Sequence, residues 1–429
     1  MKKKIWIFNH YASSMFKEHA GRHFWFSENL HEKGYEPTIF CASTIHNSDE
    51  LIIQDQRLSL SQTVNQVPFV FVRTPSYKGN RIQRIKNMIA FYKNLFPVAM
   101  EYSMVHGKPD CILASSVHPL TLIAGIRIAK KLGVPCICEV RDLWPESIVA
   151  YGILRRNSLL AKLLYLGEKW IYKQADAIIM TWEGGKQYIL DQGWGRQIDI
   201  SKVKHISNGI VIDTFDSNSE KYRVEDMDLS NPNYRNVVYA GSIRKVNNIG
   251  MLLDAAKIVQ GKGIKDIRFL IYGAGDELES LKKRCNDEGI ENVIFKGKVE
   301  KKFVPYILKN SYINILHNSS TSLDKYGQSQ NKFFEYLAAG KCIVQTYMTG
   351  YSICERYNCG ISASVQNAEE IAKAIIIGCD ENVNQLMGKN AREAAATYDF
   401  KQLTGHLVEM INQVTKEGRE RSETVRKIS

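Results

Sequence analysis

Long apolar runs and paired cysteines are both missing from this sequence, and each absence excludes a class of protein. No apolar stretch approaches the roughly 18 residues that a membrane span requires, so we expect no transmembrane helix. The nine cysteines are an odd number without paired spacing, which argues against a disulfide framework and for a reducing compartment. The basic start MKKK precedes an apolar run of only four residues, Ile5–Phe8, which predicts a first β-strand rather than a signal peptide. The sequence therefore predicts a cytoplasmic protein.

Acidic residues are also in deficit, with 45 against 57 lysines and arginines and a formal net charge of +12. This excess favours anionic partners such as nucleotides, phosphorylated carriers, nucleic acid or an anionic membrane face. The charges are scattered along the chain, however, and no nucleic-acid motif or aromatic–basic stacking strip is present. We therefore expect no nucleic-acid partner. We expect no zinc site either, because Cys136 and Cys138 lie in a strand-like run.

Strand and helix patterns alternate in two series along the 429 residues. The first series runs from Ile5–Phe8 to the strand Ala177–Met180, and the second begins with the strand Val237–Ala240. Strands that alternate with helices form parallel sheets covered on both faces, and the polar, turn-rich segment Val203–Asn236 separates the two series. The sequence therefore predicts an α/β fold with two doubly wound, Rossmann-like domains, which face each other across a cleft and bind ligands at their strand carboxyl ends.

The stretch SQNKFFEYLAAGKCIV, Ser329–Val344, predicts a short helix that leads into a buried strand. Gly340 suits the helix C-cap, and Lys332 and Glu335 lie three residues apart, so they project from the same face. A helix N-terminus favours a diphosphate, and a carboxylate one turn into the helix can accept hydrogen bonds from two neighbouring sugar hydroxyls. The alternative is an exposed Lys–Glu pair on an amphipathic helix.

Three further turns follow strands of the second series. They are GSIRKVNN (Gly241–Asn248), YGAGDELESL with Gly273 and Gly275, and FKGKVEKKF (Phe295–Phe303). Glycines at such turns permit close approach of the backbone to a phosphate, but a single GxG is more often a plain turn. The order and spacing of all three turns, ending in NKFFEYLAAGKCIV, is much more specific than any one of them.

The order of these motifs resembles the retaining GT-B glycosyltransferases of the large family-four group. It is most similar to the branch that builds cell-surface polysaccharides (O-antigen, capsule, exopolysaccharide) on lipid carriers. The resemblance covers nearly the whole chain and includes HISNGIVIDTF, ADAIIMTWEGGKQYI, YAGSIRK, IYGAGDELESL, FFEYLAAGKCIV and, in the first domain, EVRDLWPES. It implies an acceptor-binding domain at 1–212, a nucleotide-sugar-binding domain at 213–397, and a helix with a frayed tail at 398–429 that returns to the first domain.

The resemblance implies that Glu335 holds the ribose hydroxyls of the nucleotide. The first glutamate of the family, eight residues earlier, falls on Gly327, and the usual diphosphate arginine and lysine fall on Ser242 and Asn247. All three are therefore absent, which leaves sugar recognition to Gln328 and its neighbours and the diphosphate charge to nearby cations. The expected donor site comprises Gly241, Ser242, Arg244, Lys245, Gly273, Gly275, Val299, Ser329, Gln330, Asn331, Lys332 and Glu335.

The first domain supplies the candidate acid–base residues. His118 follows a strand in SSVHPLT, where the family often has a histidine near the reacting sugar, although it could equally be a satisfied loop histidine. Asp142 and Glu146 in RDLWPES are the other catalytic candidates, with a buried Arg141–Asp142 pair as the structural alternative.

Four residues are expected on the acceptor side. Glu183 matches a family position at the cleft floor. His10, Ser13 and Ser14 lie in the first strand–helix loop, where the family usually has glycines.

The expected activity is retaining transfer of a hexose or N-acetylhexosamine from a UDP-linked donor to a lipid-carrier-linked acceptor. We expect no cofactor or metal, because helix termini and basic side chains take the place of a metal. The DxD-like Asp226–Asp228 lies in the polar junction and is discounted. The alternatives are an epimerase or hydrolase of nucleotide sugars and a catalytically inactive scaffold.

The stretch Arg81–Ala99 predicts a helix on an anionic membrane surface. Its apolar residues Ile82, Ile85, Ile89, Tyr92 and Phe96 form one stripe at helical spacing. The basic residues that flank the stripe are Arg81, Arg84, Lys86 and Lys93. We therefore expect peripheral association with the inner face of the cytoplasmic membrane. The alternative is that the stripe packs on the domain's own sheet.

Overall fold

The computed structural model describes residues 2–46, 48–79, 81–116 and 118–428; the side chains of Arg81 and of residues 417–428 lie outside this description. The chain forms two compact units. The first comprises Met1–Ser207 together with Phe400–Ser429, and the second comprises Asn208–Asp399. Both are layered α/β units built on largely parallel sheets, which confirms the predicted fold class.

The first unit contains an eight-stranded sheet. Its strands are β1 (Lys4–Phe8), β2 (Glu36–Ala42), β3 (Ser59–Val64), β4 (Val67–Val72), β5 (Cys111–Ser115), β6 (Cys136–Val140), β7 (Ala177–Met180) and β8 (Val203–His205). Their order is β3-β4-β2-β1-β5-β6-β7-β8, and only β3 is antiparallel to its neighbour. The central strands read as continuous apolar runs because helices cover both faces.

In the described part of the chain, seven α-helices precede the second unit. They are α1 (Ser13–Glu18), α2 (Arg22–Glu32), α3 (Arg81–His106), α4 (Pro119–Leu132), α5 (Glu146–Ala150), α6 (Leu159–Gln174) and α7 (Gly185–Asp191). Helix α4 contacts both α3 and α6. Among the residues that the structure describes, no helix combines the length and hydrophobicity needed to cross a bilayer.

The second unit contains a six-stranded parallel sheet. Its strands are β9 (Arg235–Ala240), β10 (Ile267–Tyr272), β11 (Val293–Gly297), β12 (Ile313–Leu316), β13 (Cys342–Gln345) and β14 (Gly360–Ser362), in the order β11-β10-β9-β12-β13-β14. Its helices are α8 (Ile212–Lys221), α9 (Ile249–Gly261), α10 (Leu278–Glu288), α11 (Val304–Lys309), α12 (Asn331–Ala339), α13 (Ile353–Tyr357), α14 (Ala368–Gly378) and α15 (Glu381–Thr397).

The last helix, α16 (Phe400–Ile428), belongs to the first unit. The Phe400 ring packs 4.8 Å from the Trp25 ring and 5.2 Å from the Phe26 ring, both on α2. The polar sequence after Lys416 predicts the frayed tail, whereas the helical backbone continues to Ile428. The predicted fraying falls on residues 417–429, whose side chains lie outside the described part of the chain.

Candidate active site

Helix α12 begins at the carboxyl edge of the second sheet. Phe333, Phe334 and Leu337 are fully buried against the unit, and Gly340 closes the helix in the left-handed conformation at φ 66°. These buried residues leave Lys332 and Glu335 on the face toward the strand ends. The predicted helix and its C-cap are thus confirmed.

Lys332 lies between two strand ends. Its Nζ donates to the His317 carbonyl oxygen at 3.0 Å, directly after β12, and sits 4.8 Å from the centroid of the Tyr239 ring of β9. Burial lowers the pKa of Lys332 from 10.5 to about 8. An ammonium held in this way is a desolvated cation that an anion could bind strongly.

His317 fixes the floor of this site. Its Nδ1 lies 2.6 Å from Thr346 Oγ1 and its Nε2 lies 2.8 Å from the Asn248 carbonyl oxygen. A carbonyl can only accept, so Nε2 carries the proton and Nδ1 accepts from the threonine hydroxyl. Burial lowers the pKa of His317 to about 4. The ring therefore remains neutral and adds no charge beside Lys332.

Glu335, the carboxylate predicted to hold ribose hydroxyls, is partly buried on α12. Its side chain is 14% exposed and forms an ion pair with Lys301, whose side chain is 73% exposed. A mobile, solvated lysine is a weak competitor for a partly buried carboxylate. Hydroxyl donors could therefore displace Lys301 from Glu335, and the contact with a ribose stays a prediction.

Contacts within the protein itself require glycine at positions 273 and 275. A Cβ at Gly273 would lie 1.8 Å from the Gly241 carbonyl oxygen, and a Cβ at Gly275 would lie 1.8 Å from that of Ile243. The Ile243 N–H also donates to the Ala274 carbonyl oxygen at 3.0 Å. The glycines thus allow two post-strand loops to touch, and their contact with a phosphate stays a prediction.

Ser242 and Asn247, the positions without the usual cations, bond to each other. Ser242 Oγ donates to Asn247 Oδ1 at 2.8 Å. Arg244 and Lys245 are exposed in the same loop. Val299, another residue of the predicted donor site, packs against the core beside α12.

The amide side chains before α12 are turned into a buried network. Gln328 Nε2 donates to Gln345 Oε1 at 2.6 Å, and Tyr347 Oη donates to Gln328 Oε1 at 2.8 Å. Gln330 Nε2 contacts Asn318 Oδ1 at 2.6 Å and Tyr347 Oη at 2.8 Å. These side chains are committed to the fold. Any contact of Gln328 and Gln330 with the sugar donor would therefore come from their backbone groups.

Ser329 and Asn331 complete the approach to the helix. The Asn208 backbone N–H donates to Ser329 Oγ at 2.8 Å, and Asn208 Nδ2 donates to the Ser329 carbonyl oxygen at 2.6 Å. This ties the NGI segment of the motif HISNGIVIDTF to the residues before α12. Asn331 is exposed at the first helical position.

Asp226 and Asp228 form a structural ion cluster. Lys296 Nζ lies 2.6 Å from Asp226 Oδ1 and 2.5 Å from Asp228 Oδ2, and Tyr272 Oη donates to Asp226 at 2.6 Å. Although burial opposes it, these bonds from Lys296 and Tyr272 hold the pKa of Asp226 below its ordinary value. Within the described residues, no group of three or more His, Cys, Asp or Glu side chains is placed to hold a metal ion.

The carboxyl edge of the first sheet holds a pair of histidines. His10 Nδ1 lies 2.7 Å from His118 Nε2, and His10 Nε2 lies 2.6 Å from Asn87 Oδ1. Asn87 Nδ2 donates to the Pro75 carbonyl oxygen at 2.6 Å and to Thr44 Oγ1 at 3.1 Å. These bonds fix which end of the Asn87 amide is oxygen, so His10 donates from Nε2 and accepts at Nδ1.

His118 therefore carries its proton on Nε2 and keeps a lone pair on Nδ1. That atom is buried and has no hydrogen-bond partner among the described residues. Burial, together with the nearby Arg84, lowers the pKa of His118 to about 4, and burial likewise lowers the pKa of His10 well below its ordinary value. The pair is neutral, and Nδ1 of His118 is set to accept a hydrogen bond from a hydroxyl group.

The other predicted residues of this unit have different surroundings. Glu146 accepts from Arg156, Tyr165 and Gln192 at 2.6–3.0 Å, which ties α5 to its neighbours. Asp142 follows β6 and lines a cavity between α4 and α6, where desolvation raises the pKa of its carboxyl although Arg141 opposes the shift. Their catalytic role stays a prediction.

The acceptor-side candidates all follow strands of the first sheet or begin the next helix. Ser13 Oγ donates to the Thr44 carbonyl oxygen at 2.7 Å, and Ser14 Oγ lies 3.5 Å from the Tyr11 carbonyl oxygen. Glu183 is half-buried after β7. Of the four, the structure brings only His10 into contact with His118.

A buried ion network lies below this edge. Glu139 of β6 pairs with Arg22 at 2.8 Å and His23 at 2.9 Å, and accepts from Ser115 at 2.7 Å. Burial disfavours its charge, but Arg22 and His23 hold the pKa of Glu139 well below its ordinary value. The network anchors the first turn of α2 to two neighbouring strands.

Sequence reasoning missed two of these residues. His317 follows a short buried strand, and its position directly after an apolar run was the available signal. Asn87 lies within Arg81–Ala99, the stretch predicted to meet a membrane surface, but it is fully buried against His10. No sequence signal distinguishes it from a solvated asparagine.

Both halves of the chain match glycosyltransferase families. Residues 26–214 match the family described as Glycosyltransferase Family 4, and residues 234–379 match Glycosyl transferases group 1. An uncharacterized glycosyltransferase of Methanocaldococcus jannaschii is 25% identical over 52% of this chain and 55% of its own length. The probable glycosyltransferase WbjE of Pseudomonas aeruginosa is 24% identical over 57% of this chain and 59% of its own length. The chain thus matches little more than half the length of these relatives.

Solved structures show the same fold at low identity. Sucrose-phosphate synthase from Thermosynechococcus elongatus aligns with a TM-score of 0.70 at 16% identity, over 97% of this chain and all of that one. HepE of Anabaena, solved with UDP and glucose, aligns with a TM-score of 0.64 at 14% identity, over 96% of this chain and 99% of that one. Together with the family matches, these findings support a GT-B glycosyltransferase of the family-four type.

Proposed function

We propose that this chain, whose two halves match glycosyltransferase families, transfers a sugar from a UDP-linked donor with retention of anomeric configuration. The acceptor is a saccharide on a lipid carrier, in the synthesis of a surface polysaccharide. The observation that carries the proposal is that Glu335 and Lys332 lie on the same face of α12, near its start. Glu335 can hold ribose hydroxyls, and Lys332 can hold a diphosphate. HepE was solved with UDP, which supports the choice of nucleotide.

Each unit has a distinct part in the proposed reaction. In the second unit, Lys332 stabilises the charge that develops on the leaving diphosphate as the glycosidic bond breaks. In the first unit, Nδ1 of His118 accepts a hydrogen bond from a sugar hydroxyl. A histidine with a pKa near 4 is a weak base. The proton of the attacking acceptor hydroxyl therefore goes to a diphosphate oxygen on the face from which the diphosphate leaves.

We propose that α3 meets the membrane that carries the acceptor. Ile82, Ile85 and Ile89 are 67%, 56% and 40% exposed, while Phe91 and Leu95 form the buried side of the helix. The first half of the predicted stripe thus faces solvent, contrary to the alternative that it packs on the sheet. Tyr92 and Phe96 are half-buried, and the side chain of Arg81 lies outside the described residues.

Glu335→Ala tests the nucleotide site. A carboxylate that accepts two hydroxyl hydrogen bonds contributes about 2–4 kcal/mol, so UDP affinity measured by calorimetry should fall about 30- to 1000-fold. Lys301→Ala is the matched control, because it removes only the exposed partner of the same ion pair and should change affinity by less than about 1 kcal/mol. Equal UDP affinity in Glu335→Ala and its parent would show that α12 does not hold the ribose.

Product analysis tests the reaction class. Transfer should require a second saccharide substrate, survive excess EDTA, and give a linkage that keeps the donor's anomeric configuration by NMR. An inverted linkage, or turnover of the donor without any acceptor, would contradict the proposal. Full dependence on added metal would contradict the role given to Lys332.

A further inference from the structure

Helix α6 presents an apolar surface that the proposed reaction does not use. We call this surface the α6 face. It consists of five residues with side chains that are 38% to 75% exposed: Leu159, Leu160, Leu163, Leu166 and Trp170. Four of the five recur at intervals of four, three and four residues, so they form one stripe along the helix. Apolar residues grouped in this way on a surface mark an interaction site more often than scattered ones do.

The opposite side of α6 is firmly anchored. Ala161, Glu168 and Ile171 are buried, and Glu168 accepts from Tyr172 Oη at 2.7 Å and from Tyr188 Oη at 2.8 Å. The Tyr172 bond lies within α6, whereas the Tyr188 bond joins α6 to α7. Rotation of the helix to bury its leucines would therefore break the Tyr188 bond and expose Ala161 and Ile171. The α6 face is a fixed outer surface.

The charges on the exposed sides of α6 and α4 are basic, although Asp142 lines the cavity between these two helices. Helix α6 carries Lys162, Lys169 and Lys173, and its only acidic residue, Glu168, points inward. The adjacent α4 has no acidic residue and carries Arg127, Lys130 and Lys131 on its exposed side. Lysines beside an apolar stripe can extend to phosphate headgroups while the leucines enter the acyl region, and a tryptophan suits the boundary between the two.

An apolar cavity lies directly under this surface. It measures about 170 Å³, between α4 and α6. Its lining includes Leu120, Ile123, Leu163, Leu164 and Gly167. Apolar cavities of about 150 Å³ stay dry and bind hydrocarbons such as benzene. The apolar surface thus continues inward, as a site for one hydrocarbon chain would require.

We propose that the α6 face docks into the interface of an anionic lipid bilayer. The observations that carry this proposal are the fixed leucine stripe, the basic charges around it and the apolar cavity beneath it. It adds a second contact to the one proposed for α3, since α4 lies between the two helices and contacts both. It does not depend on which sugar the protein transfers.

The test compares two triple variants of the full chain. Leu159→Gln/Leu163→Gln/Leu166→Gln changes the α6 face, and Val365→Gln/Ile377→Gln/Leu386→Gln changes three exposed apolar residues of the second unit. Co-sedimentation uses vesicles of phosphatidylcholine with about one third phosphatidylglycerol, and vesicles of phosphatidylcholine alone. We expect the parent and the control to bind the anionic vesicles, and the α6 variant to bind at least tenfold less.

A triple lysine variant tests the electrostatic contribution to vesicle binding separately. Lys162→Gln/Lys169→Gln/Lys173→Gln should lower binding to anionic vesicles by about 100-fold, at about tenfold for each 1.4 kcal/mol and about 1 kcal/mol for each cation. The proposal is overturned if the parent does not bind anionic vesicles, or if the α6 variant binds as the parent does. It is also overturned if light scattering shows a dimer that the α6 variant dissociates. UDP calorimetry on the same variants keeps this outcome separate from that of the proposed transferase.

Discussion

Lys332 offers a test in which stability and ligand binding move in opposite directions. Burial lowers its pKa from 10.5 to about 8, and one pKa unit corresponds to about 1.4 kcal/mol, so holding this charge at pH 7 costs the fold about 3 kcal/mol. Lys332→Met removes the charge and keeps an apolar stem. It also loses the charge-assisted hydrogen bond to the His317 carbonyl oxygen, worth about 1.5–3 kcal/mol. We therefore expect a net stabilisation of about 0–1.5 kcal/mol.

The melting temperature and its pH dependence follow from this estimate. A unit of about 200 residues gains about 2–4 °C per kcal/mol, so the melting temperature of the second unit should rise by up to about 6 °C in Lys332→Met. The folded pKa lies below the unfolded one, so the unfolded chain binds more protons between pH 8 and 10.5. The free-energy cost of burying the Lys332 charge is fully present below pH 8, and it decreases as the pH rises from 8 to 10.5. The advantage of the variant should shrink there.

UDP binding should change in the opposite sense. Loss of one charge-assisted contact costs about 1.5–3 kcal/mol, so calorimetry should show UDP affinity reduced about 10- to 150-fold in Lys332→Met. Parent affinity should also fall above pH 8 as Lys332 loses its proton, whereas affinity in the variant should not follow this titration.

Lys341→Met is the matched control for Lys332. Lys341 lies just beyond the other end of α12, and burial lowers its pKa as well. This variant should gain stability and keep the parent's UDP affinity. The reasoning is refuted if Lys332→Met binds UDP as tightly as its parent, or if it melts at a lower temperature.

Three other features give shorter predictions. His10→Phe removes the acceptor that orients His118, so kcat should fall about tenfold with UDP affinity unchanged, and His10→Gln should restore most of it; unchanged kcat would contradict the tautomer assignment. Glu139→Gln leaves Arg22 buried without its carboxylate and should cost about 3–5 kcal/mol in denaturant unfolding. Because the folded pKa of Glu139 is depressed, that loss should be full above pH about 4.5 and shrink as the pH falls below it. Ile82→Gln/Ile85→Gln/Ile89→Gln should weaken co-sedimentation with anionic vesicles at unchanged melting temperature; a lowered melting temperature with normal sedimentation would assign the stripe to the core.

The parts of the fold that the sequence predicted are those with strong periodicity. Buried parallel strands such as Ile5–Phe8 are continuous apolar runs, so they stand out without an alignment. Strand β3 was missed because SLSQTV is a polar edge strand. Helix α15 was missed because it packs through small residues: Gly388, Ala391 and Ala395 are its contact side, and a Cβ at Gly388 would lie 2.6 Å from the Gly340 carbonyl oxygen. Such a surface carries no apolar stripe to detect.

The sequence predicted which residues belong to the candidate site better than it predicted which residues they contact. Loops that follow parallel strands collect at one edge, so sequence order alone placed Lys332, Glu335 and His118 near strand ends. It could not show that Lys301 pairs with Glu335, or that Asn87 orients His10. Both contacts join segments far apart in sequence, and both depend on side-chain directions that the spacing of residues does not encode.

The two positions without the usual diphosphate cations are physically linked. Ser242 and Asn247 hydrogen-bond to each other, so a cation at one position would leave the polar group of the other without this partner. The loop thus favours two neutral residues or two cations at positions 242 and 247 over one of each. With the neutral pair in place, positive charge for the diphosphate must come from the exposed Arg244 and Lys245 or from Lys332. Solvent and salt screen the exposed side chains strongly, whereas burial strengthens the field of Lys332. In the proposed reaction, the burial that destabilises the fold would therefore make Lys332 the stronger diphosphate ligand.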